Sequence, residues 1–306
     1  MIIISVIICT YNRANFLSKC LQSLADQTMD KDLFEILVIN NNSTDNTQDI
    51  AESFSEKIQN FRIILETKQG LSYARNRGWI ESKGEYVAFI DDDAIADADW
   101  LSKIVFTFSS VKPKPDACGG RVELLWESPR PVWMHDSLLA PLGKFDYGTT
   151  SFFITDSHVN LSGSNMAFRK EVSEKVGFFD YTLGRQGNIL LSNDETDFFQ
   201  RMHNFHLIMY YTPEISVKHH VTNERLTKKW HYDRSYWQGR SSAVMDFKNN
   251  PGVMRNLVKI GIKTGKLGYY SLSSFFNRDQ QKEMNCKTIE FSCKGYLFQE
   301  FQNFFK

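Results

Sequence analysis

GEYVAFIDDDA, residues Gly84–Ala94, decides the fold. Its first half, Tyr86–Ile90, is a short aromatic and β-branched run that reads as a strand. Its second half sets Asp91, Asp92 and Asp93 side by side at that strand's carboxyl end. Adjacent carboxylates repel one another and suit neither a strand nor a helix interior, so the triplet is either a solvated turn or a site for a cation.

The pattern on its amino-terminal side favours the site. Ile2–Cys9 is a continuous, largely β-branched run, and Phe34–Ile39 and Phe61–Leu65 are strand-like. Between them, Phe16, Leu17, Cys20, Leu21 and Leu24 recur at helical spacing, and Asp45–Ser55 and Gly70–Ser82 also read as helices. Strands alternating with helices predict a parallel, doubly wound sheet whose ligands gather outside the strands' carboxyl ends. On that plan TYNR (Thr10–Arg13), NNNSTDNT (Asn40–Thr47) and DDDA (Asp91–Ala94) converge on one crevice. Three aspartates supply hard oxygen ligands suited to Mg²⁺ or Mn²⁺ shared with a substrate diphosphate.

Beyond Trp100 the pattern loosens. Seven prolines and glycines interrupt Lys112–Gly143, a long excursion with an expected strand near Gly120–Leu125. A second organised block follows: Asn165–Phe168, a helical Lys170–Val176, and GRQGNILLSNDETD (Gly184–Asp197), where turn residues mix with carboxylates. From Ser241 onward there are ten Lys or Arg against five Asp or Glu. These cations interleave with Leu257, Ile260, Tyr269, Tyr270, Phe275, Phe276, Phe298, Phe301, Phe304 and Phe305, as in helices that lie on anionic membrane surfaces. An amphipathic appendage packed on the core has the same pattern.

Size and charge bound the rest. With 306 residues, 42% of them hydrophobic, the chain can bury one large core or two modest ones. A formal net charge of zero removes any general pull toward nucleic acid. Five cysteines without CxxC spacing suggest neither a zinc cage nor a disulfide framework, which fits a reduced, cytoplasmic compartment. The apolar start reads as a buried first strand rather than a signal peptide. No stretch reaches the roughly 18–20 apolar residues that cross a bilayer.

Taken in order, TYNR, VINNNSTDNT, GLSYARNRG, KGEYVAFIDDDA, GSNMAFRKEV, SNDETDF, HHV and YWQGRS resemble glycosyltransferase family 2, the inverting nucleotide-sugar transferases of GT-A fold, over about residues 1–240. The resemblance implies an α/β chain with a mostly parallel central sheet flanked by helices. It implies a catalytic domain at 1–240, divided into a nucleotide-binding half (1–110) and an acceptor half (111–240), with a helical extension at 241–306. It further implies Mn²⁺ or Mg²⁺, a nucleotide-sugar donor (a UDP-sugar first) and a glycan or lipid-linked glycan acceptor in cell-surface polysaccharide synthesis. Peripheral contact with the inner membrane face would run through the extension.

The residue roles carried over are specific. Thr10, Tyr11 and Arg13 would wrap the base and ribose, with Asn40 standing where many members use an aspartate to accept the pyrimidine N3–H. Asp91 or Asp92 would face the ribose, Asp93 would hold the metal with Asp91, and one of His219 and His220, with His219 preferred, would reach it. Arg75 and Arg77 diverge by about 200° on a helix, which leaves Arg75 to face the diphosphate. Gly163, Ser164 and Asn165 would border the donor sugar, while Arg225, Trp237, Gln238 and Arg240 would shape the acceptor end. The family usually reads Glu-Asp where this chain reads Asp194-Glu195. Alignment puts Glu195 in the place of the base, with Asp194 as the alternative. Asp45 reads chiefly as a helix cap. Two other readings use the same residues: a nucleotidyltransferase, although TYNRANF lacks a Gly-rich phosphate loop, and a non-catalytic binder of nucleotide sugars.

Overall fold

In the computed structural model, which describes residues 1–187, 189–249, 253–277 and 279–304, the alternation continues through the first half of the chain. The order is β1 (Ile4–Thr10), α1 (Ala14–Ala25), β2 (Phe34–Asn40), α2 (Thr47–Glu52), β3 (Phe61–Leu65), α3 (Leu71–Glu81), β4 (Tyr86–Asp91), β5 (Ala94–Ala96) and α4 (Trp100–Ser110). There follow β6 (Ala117–Gly119), β7 (Val122–Trp126), β8 (Phe152–Ile154), β9 (Asn165–Arg169), α5 (Val172–Val176), α6 (Asp194–Asn204), β10 (Met209–Tyr211) and β11 (Val217–Val221). Three long helices close the chain: α7 (Lys228–Asn249), α8 (Val253–Phe276) and α9 (Gln280–Phe304). Asn188, inside the GRQGNILLSNDETD stretch, and Phe305, in the tail, lie outside the described residues.

The chain forms two compact units. The first comprises Met1–Leu125, Gly143–Tyr181 and Asp194–His220. Its main sheet has the order β3-β2-β1-β4-β9-β6-β10-β8. β3, β2, β1 and β4 run parallel, and β9 is antiparallel to both β4 and β6. Alternate residues of β1 serve two cores: Ile4, Val6 and Ile8 pack with Leu17 and Leu21 of α1, whereas Ile7 joins Ala74 and Trp79 of α3. A strand buried on both faces reads as a near-continuous apolar run, which is why Ile2–Cys9 carries no alternation; its polar residue Ser5 is buried with its hydroxyl donating to Glu35 at 2.6 Å.

Register sets the site. β1 and β2 pair Thr10 with Asn40, and β1 and β4 pair Cys9 with Asp91, so three polar strand ends finish level. A small second sheet, β5-β11-β7, pairs His219 with Ala94 and so carries the histidine beside the aspartate triplet. The helix expected from Asp45 begins later, at Thr47, because the Asp45 carboxylate accepts the N–H of Thr47 at 3.0 Å and that of Ala14 at 3.3 Å. Asp45 thus ties the start of α2 to the start of α1.

The second unit comprises Trp126–Leu142, Thr182–Asn193 and Val221–Lys306, and α7 runs uninterrupted through residue 240. α7 and α9 approach so closely that a Cβ on Gly239 would lie 1.9 Å from the Ser292 carbonyl oxygen, and one on Gly295 would lie 1.9 Å from that of Tyr236. Only hydrogen fits at either position. Among the described residues, no helix is long and apolar enough to cross a membrane, and all five cysteines are free thiols.

Candidate active site

β4 ends at Asp91, and the turn that follows holds Asp92 and Asp93, both buried. A carboxylate oxygen from each of Asp91 and Asp93 and a ring nitrogen of His219 lie within 4.8 Å of one another. His219 Nε2 is 3.1 Å from Asp93 Oδ1, and the His219 Nδ1 is buried without a partner. Two hard oxygens and one imidazole in that span suit a divalent cation that keeps further positions for substrate oxygens. The donor set therefore fits the metal that the family resemblance implies. His220 turns the other way, its ring 5.2 Å from that of Phe16, as neighbouring strand residues must. Arg13 Nη2 lies 3.8 Å from the other Asp93 oxygen, Oδ2. Burial and the Asp93 charge push the Asp92 carboxyl upward, against Arg13.

Around the strand ends, Thr10 and Asn40 are buried and Tyr11 is exposed. Asn40 donates to Gln48 at 2.7 Å and accepts the Ser43 N–H at 2.9 Å. Its neighbour Asn41, which carried no role in the sequence reading, accepts the Gly70 N–H at 2.8 Å and donates to the carbonyls of Glu66 and Lys68. That amide fixes the loop leading into α3, and the run of three asparagines at a strand end was its only sequence signal.

α3 then delivers Arg75 inward, 2% exposed, while Arg77 points out to Glu81. The guanidinium sits on Phe179 at 5.3 Å, and Asn76 holds Phe179 by accepting its N–H and donating to its carbonyl. Phe179 in turn stacks on Phe198 of α6 at 4.5 Å. This chain of contacts sets α3 against the start of α6. Arg75 Nη1 pairs with Asp194, and Nη2 lies 2.9 Å from Glu195 Oε1. Arg75 was expected at the diphosphate; here its charge is engaged by the two acids.

One cation serves two carboxylates. Burial favours the protonated form of Glu195, but the Arg75 charge and hydrogen bond outweigh it and hold Glu195 below the usual glutamate range. Burial and the Glu195 charge push Asp194 upward, against Arg75. The Asp194 side chain is 2% exposed and that of Glu195 26%, so Glu195 is the solvent-accessible member of the pair. Both acids stand in the first turn of α6, whose positive end adds to their ionisation. Gly163 makes room for them: a Cβ there would lie 1.9 Å from Glu195 Oε1. Asp91 is near enough to reinforce the Arg75 charge, so the acids and the aspartate triplet share one electrostatic field.

Other expected residues are placed differently. The Asn165 amide, expected beside the donor sugar, is fully buried, accepting from Trp100 Nε1 at 2.9 Å and donating to the carbonyls of Arg121 and Ile215. Ser164 is buried, its hydroxyl 3.0 Å from that of Ser162. Trp237 and Arg240 lie in the second unit, where Arg240 covers the Trp237 ring at 4.6 Å and bonds Gln299 and Gln302 of α9. Their contacts there are those of helix packing. Gln238 binds Asn193 and Ser192 in the same unit, and Arg225 is buried within it.

The family described as "Glycosyl transferase family 2" matches residues 5–177, more than half the chain. The chain belongs to glycosyltransferase family 2. It is 27% identical over 246 residues to the glucosyl-dolichyl phosphate glucuronosyltransferase of Haloferax volcanii, covering 79% of this chain and 77% of that protein. It is 40% identical over 177 residues to glycosyltransferase AglE of the same organism, covering 58% of this chain and about half, 51%, of AglE. Among solved structures, the mannosyltransferase PcManGT from Pyrobaculum calidifontis in complex with GDP-Man and Mn²⁺ aligns with a TM-score of 0.61 at 17% identity, covering 97% of this chain and 87% of that one. S. aureus TarS 1–349 in complex with UDP-GlcNAc aligns at 0.55 and 14% identity, covering 99% and 92%. At these identities the likeness establishes the fold, which is GT-A. This family 2 glycosyltransferase is thus a sugar-transferring enzyme, in place of the nucleotidyltransferase or the inactive binder that the motifs alone left open.

Proposed function

We propose that this family 2 glycosyltransferase moves a sugar, with inversion, from a UDP-sugar to a hydroxyl of a lipid-linked glycan at the cytoplasmic face of the membrane, in cell-surface polysaccharide synthesis. The observation that carries the reading is the pairing of Arg75 with Glu195 at the start of α6, in the same field as Asp91. It gives an ionised carboxylate that is partly exposed and needs no proton removed before it can act as a base.

In this reading Thr10, Tyr11, Arg13 and Asn40 hold the nucleoside at the ends of β1 and β2. Asp91, Asp93 and His219 would hold Mn²⁺ or Mg²⁺, which when bound would neutralise charge on the departing diphosphate. Glu195 takes the acceptor hydroxyl proton as the acceptor oxygen bonds to the sugar's anomeric carbon, and the bond to the diphosphate breaks on the opposite face. Asp194, too buried to meet the acceptor, fixes Arg75 and through it Glu195. The lipid-linked acceptor is supported by the dolichyl phosphate named for the Haloferax volcanii relative, and a divalent metal by the Mn²⁺ named for PcManGT.

The test is nucleotide release from a panel of UDP-, GDP- and dTDP-sugars with Mn²⁺. One UDP-sugar should turn over, and both EDTA and Asp93→Ala should abolish that turnover. Turnover that EDTA leaves unchanged, or that favours a GDP-sugar, contradicts the metal or the donor respectively.

A further inference from the structure

α8 is an amphipathic helix turned outward. Its residues Asn256, Ile260, Leu267, Tyr270 and Ser274 face inward, buried or half-buried, and Lys263 covers the Tyr296 ring of α9 at 4.9 Å. The opposite face is exposed along its length and apolar: Leu257, Ile262, Tyr269, Leu272, Phe275 and Phe276 fall within about 140° of arc at 100° per residue. Tyr269 is 66% exposed, Phe275 82% and Phe276 75%. Gly261, Gly265 and Gly268 lie on the same stripe with open space beyond them. No charged residue interrupts it. Side chains of this size at that exposure make a continuous apolar surface that a lone soluble helix would not carry.

Charge selects the occupant. α8 contains four cations (Arg255, Lys259, Lys263 and Lys266) and no Asp or Glu. Lys259 is paired with Asp246 of α7 at 2.6 Å, whereas Lys266 is exposed on one edge of the stripe, where a long side chain can reach from an apolar layer to a charged one. A second copy of this face would set cations against cations, whereas an anionic lipid surface complements both the edge and the stripe. The stripe from Leu257 to Phe276 is about 30 Å long, and since α8 is not apolar enough to span a bilayer, it would lie in the interface plane.

We infer that the outward face of α8 docks on an anionic membrane surface, with Leu272, Phe275 and Phe276 buried among the lipids. The inference rests on the proposed lipid-linked acceptor for its purpose, and vesicle binding is measured apart from turnover so that either can fail alone. The experiment is flotation of the full chain with phosphatidylcholine vesicles, with and without 30% phosphatidylglycerol (about one anionic lipid in three, to supply the surface charge). The wild type should float with the anionic vesicles, at least tenfold less with neutral ones, and the double substitution Leu272→Asp/Phe275→Asp should abolish flotation while nucleotide release from the donor is unchanged. Lys266→Glu, which leaves the stripe intact, should weaken flotation and make what remains less sensitive to salt. Three results overturn the inference: no flotation of the wild type, flotation equal in the double variant, or a concentration-dependent dimer that the same substitutions dissolve without any vesicle binding.

Discussion

Arg75 Nη2 lies 2.9 Å from Glu195 Oε1, and the same guanidinium pairs with Asp194. One buried cation between two adjacent acids fixes which of them stays ionised. The exposed member keeps its charge, and the buried one takes up the excess proton affinity.

The pH dependence of transfer follows from that pairing. Because Glu195 is held below its ordinary value of 4.5, turnover should not fall on acidification from neutrality until pH is well under the usual glutamate range. In Arg75→Gln the carboxylate loses its opposing charge, and the acid limb of kcat should move upward by about 1–3 pH units. The measurement is a kcat profile of both proteins over the range in which each stays folded. Superimposable acid limbs would sink the proposed role of Arg75.

Gly163→Ala tests the same geometry from the other side. The added Cβ, 1.9 Å from Glu195 Oε1 and 2.9 Å from Arg75 Nη2, must displace both side chains. A shift of that size at a reacting group costs about 10²-fold in kcat. The melting temperature should fall as well, since one of the displaced ends is the buried, paired Arg75 guanidinium.

At the crossing of α7 and α9 the obstruction is backbone, which cannot yield in the same way. Gly295→Ala should separate the helices and lower stability by about 1–3 kcal/mol. Thermal unfolding of the variant, followed by circular dichroism, reads this directly. An unchanged melting temperature contradicts the closeness of the crossing.

Much of this was legible in the sequence because it is local. Unbroken β-branched runs mark strands buried on two faces, and Arg75 and Arg77 separate by helical period alone, whereas the level ends of β1, β2 and β4 come from their pairing register. What local pattern does not carry is partnership over distance. Arg75 and Asp194 are 119 positions apart, and no local pattern joins Arg75 to the two acids. Asn165 sits beside glycine and serine in a segment that resembles a sugar-binding turn, yet its three partners come from Trp100, Arg121 and Ile215. In the tail, composition announces an amphipathic helix, but only the packing of α9 decides that Ile260 and Tyr270 turn inward while Phe275 and Phe276 turn out.

His231 should make the second unit sensitive to acid. It is buried against Trp230 and Trp133, with neither ring nitrogen hydrogen-bonded. Burial, with His135 nearby, lowers it from 6.5 to about 4. The unfolded chain therefore binds the extra proton between those values, so stability rises with pH across that window and is lost as pH falls through it. Residual solvation limits the effect to about 1–2 kcal/mol. Urea unfolding at pH 4.5 and 7 should show the loss in the wild type and a smaller one in His231→Leu.

The most direct test of the central claim compares Glu195→Gln with Asp194→Asn in transfer from the donor identified by nucleotide release, with donor binding measured alongside. Glu195→Gln should lower kcat by about 10²–10⁴-fold while donor affinity is kept, and Asp194→Asn should retain a pH-dependent residual rate well above it. If Asp194→Asn is the inactive protein and Glu195→Gln transfers sugar at near the wild-type rate, the base is Asp194 and the assignment made here is wrong.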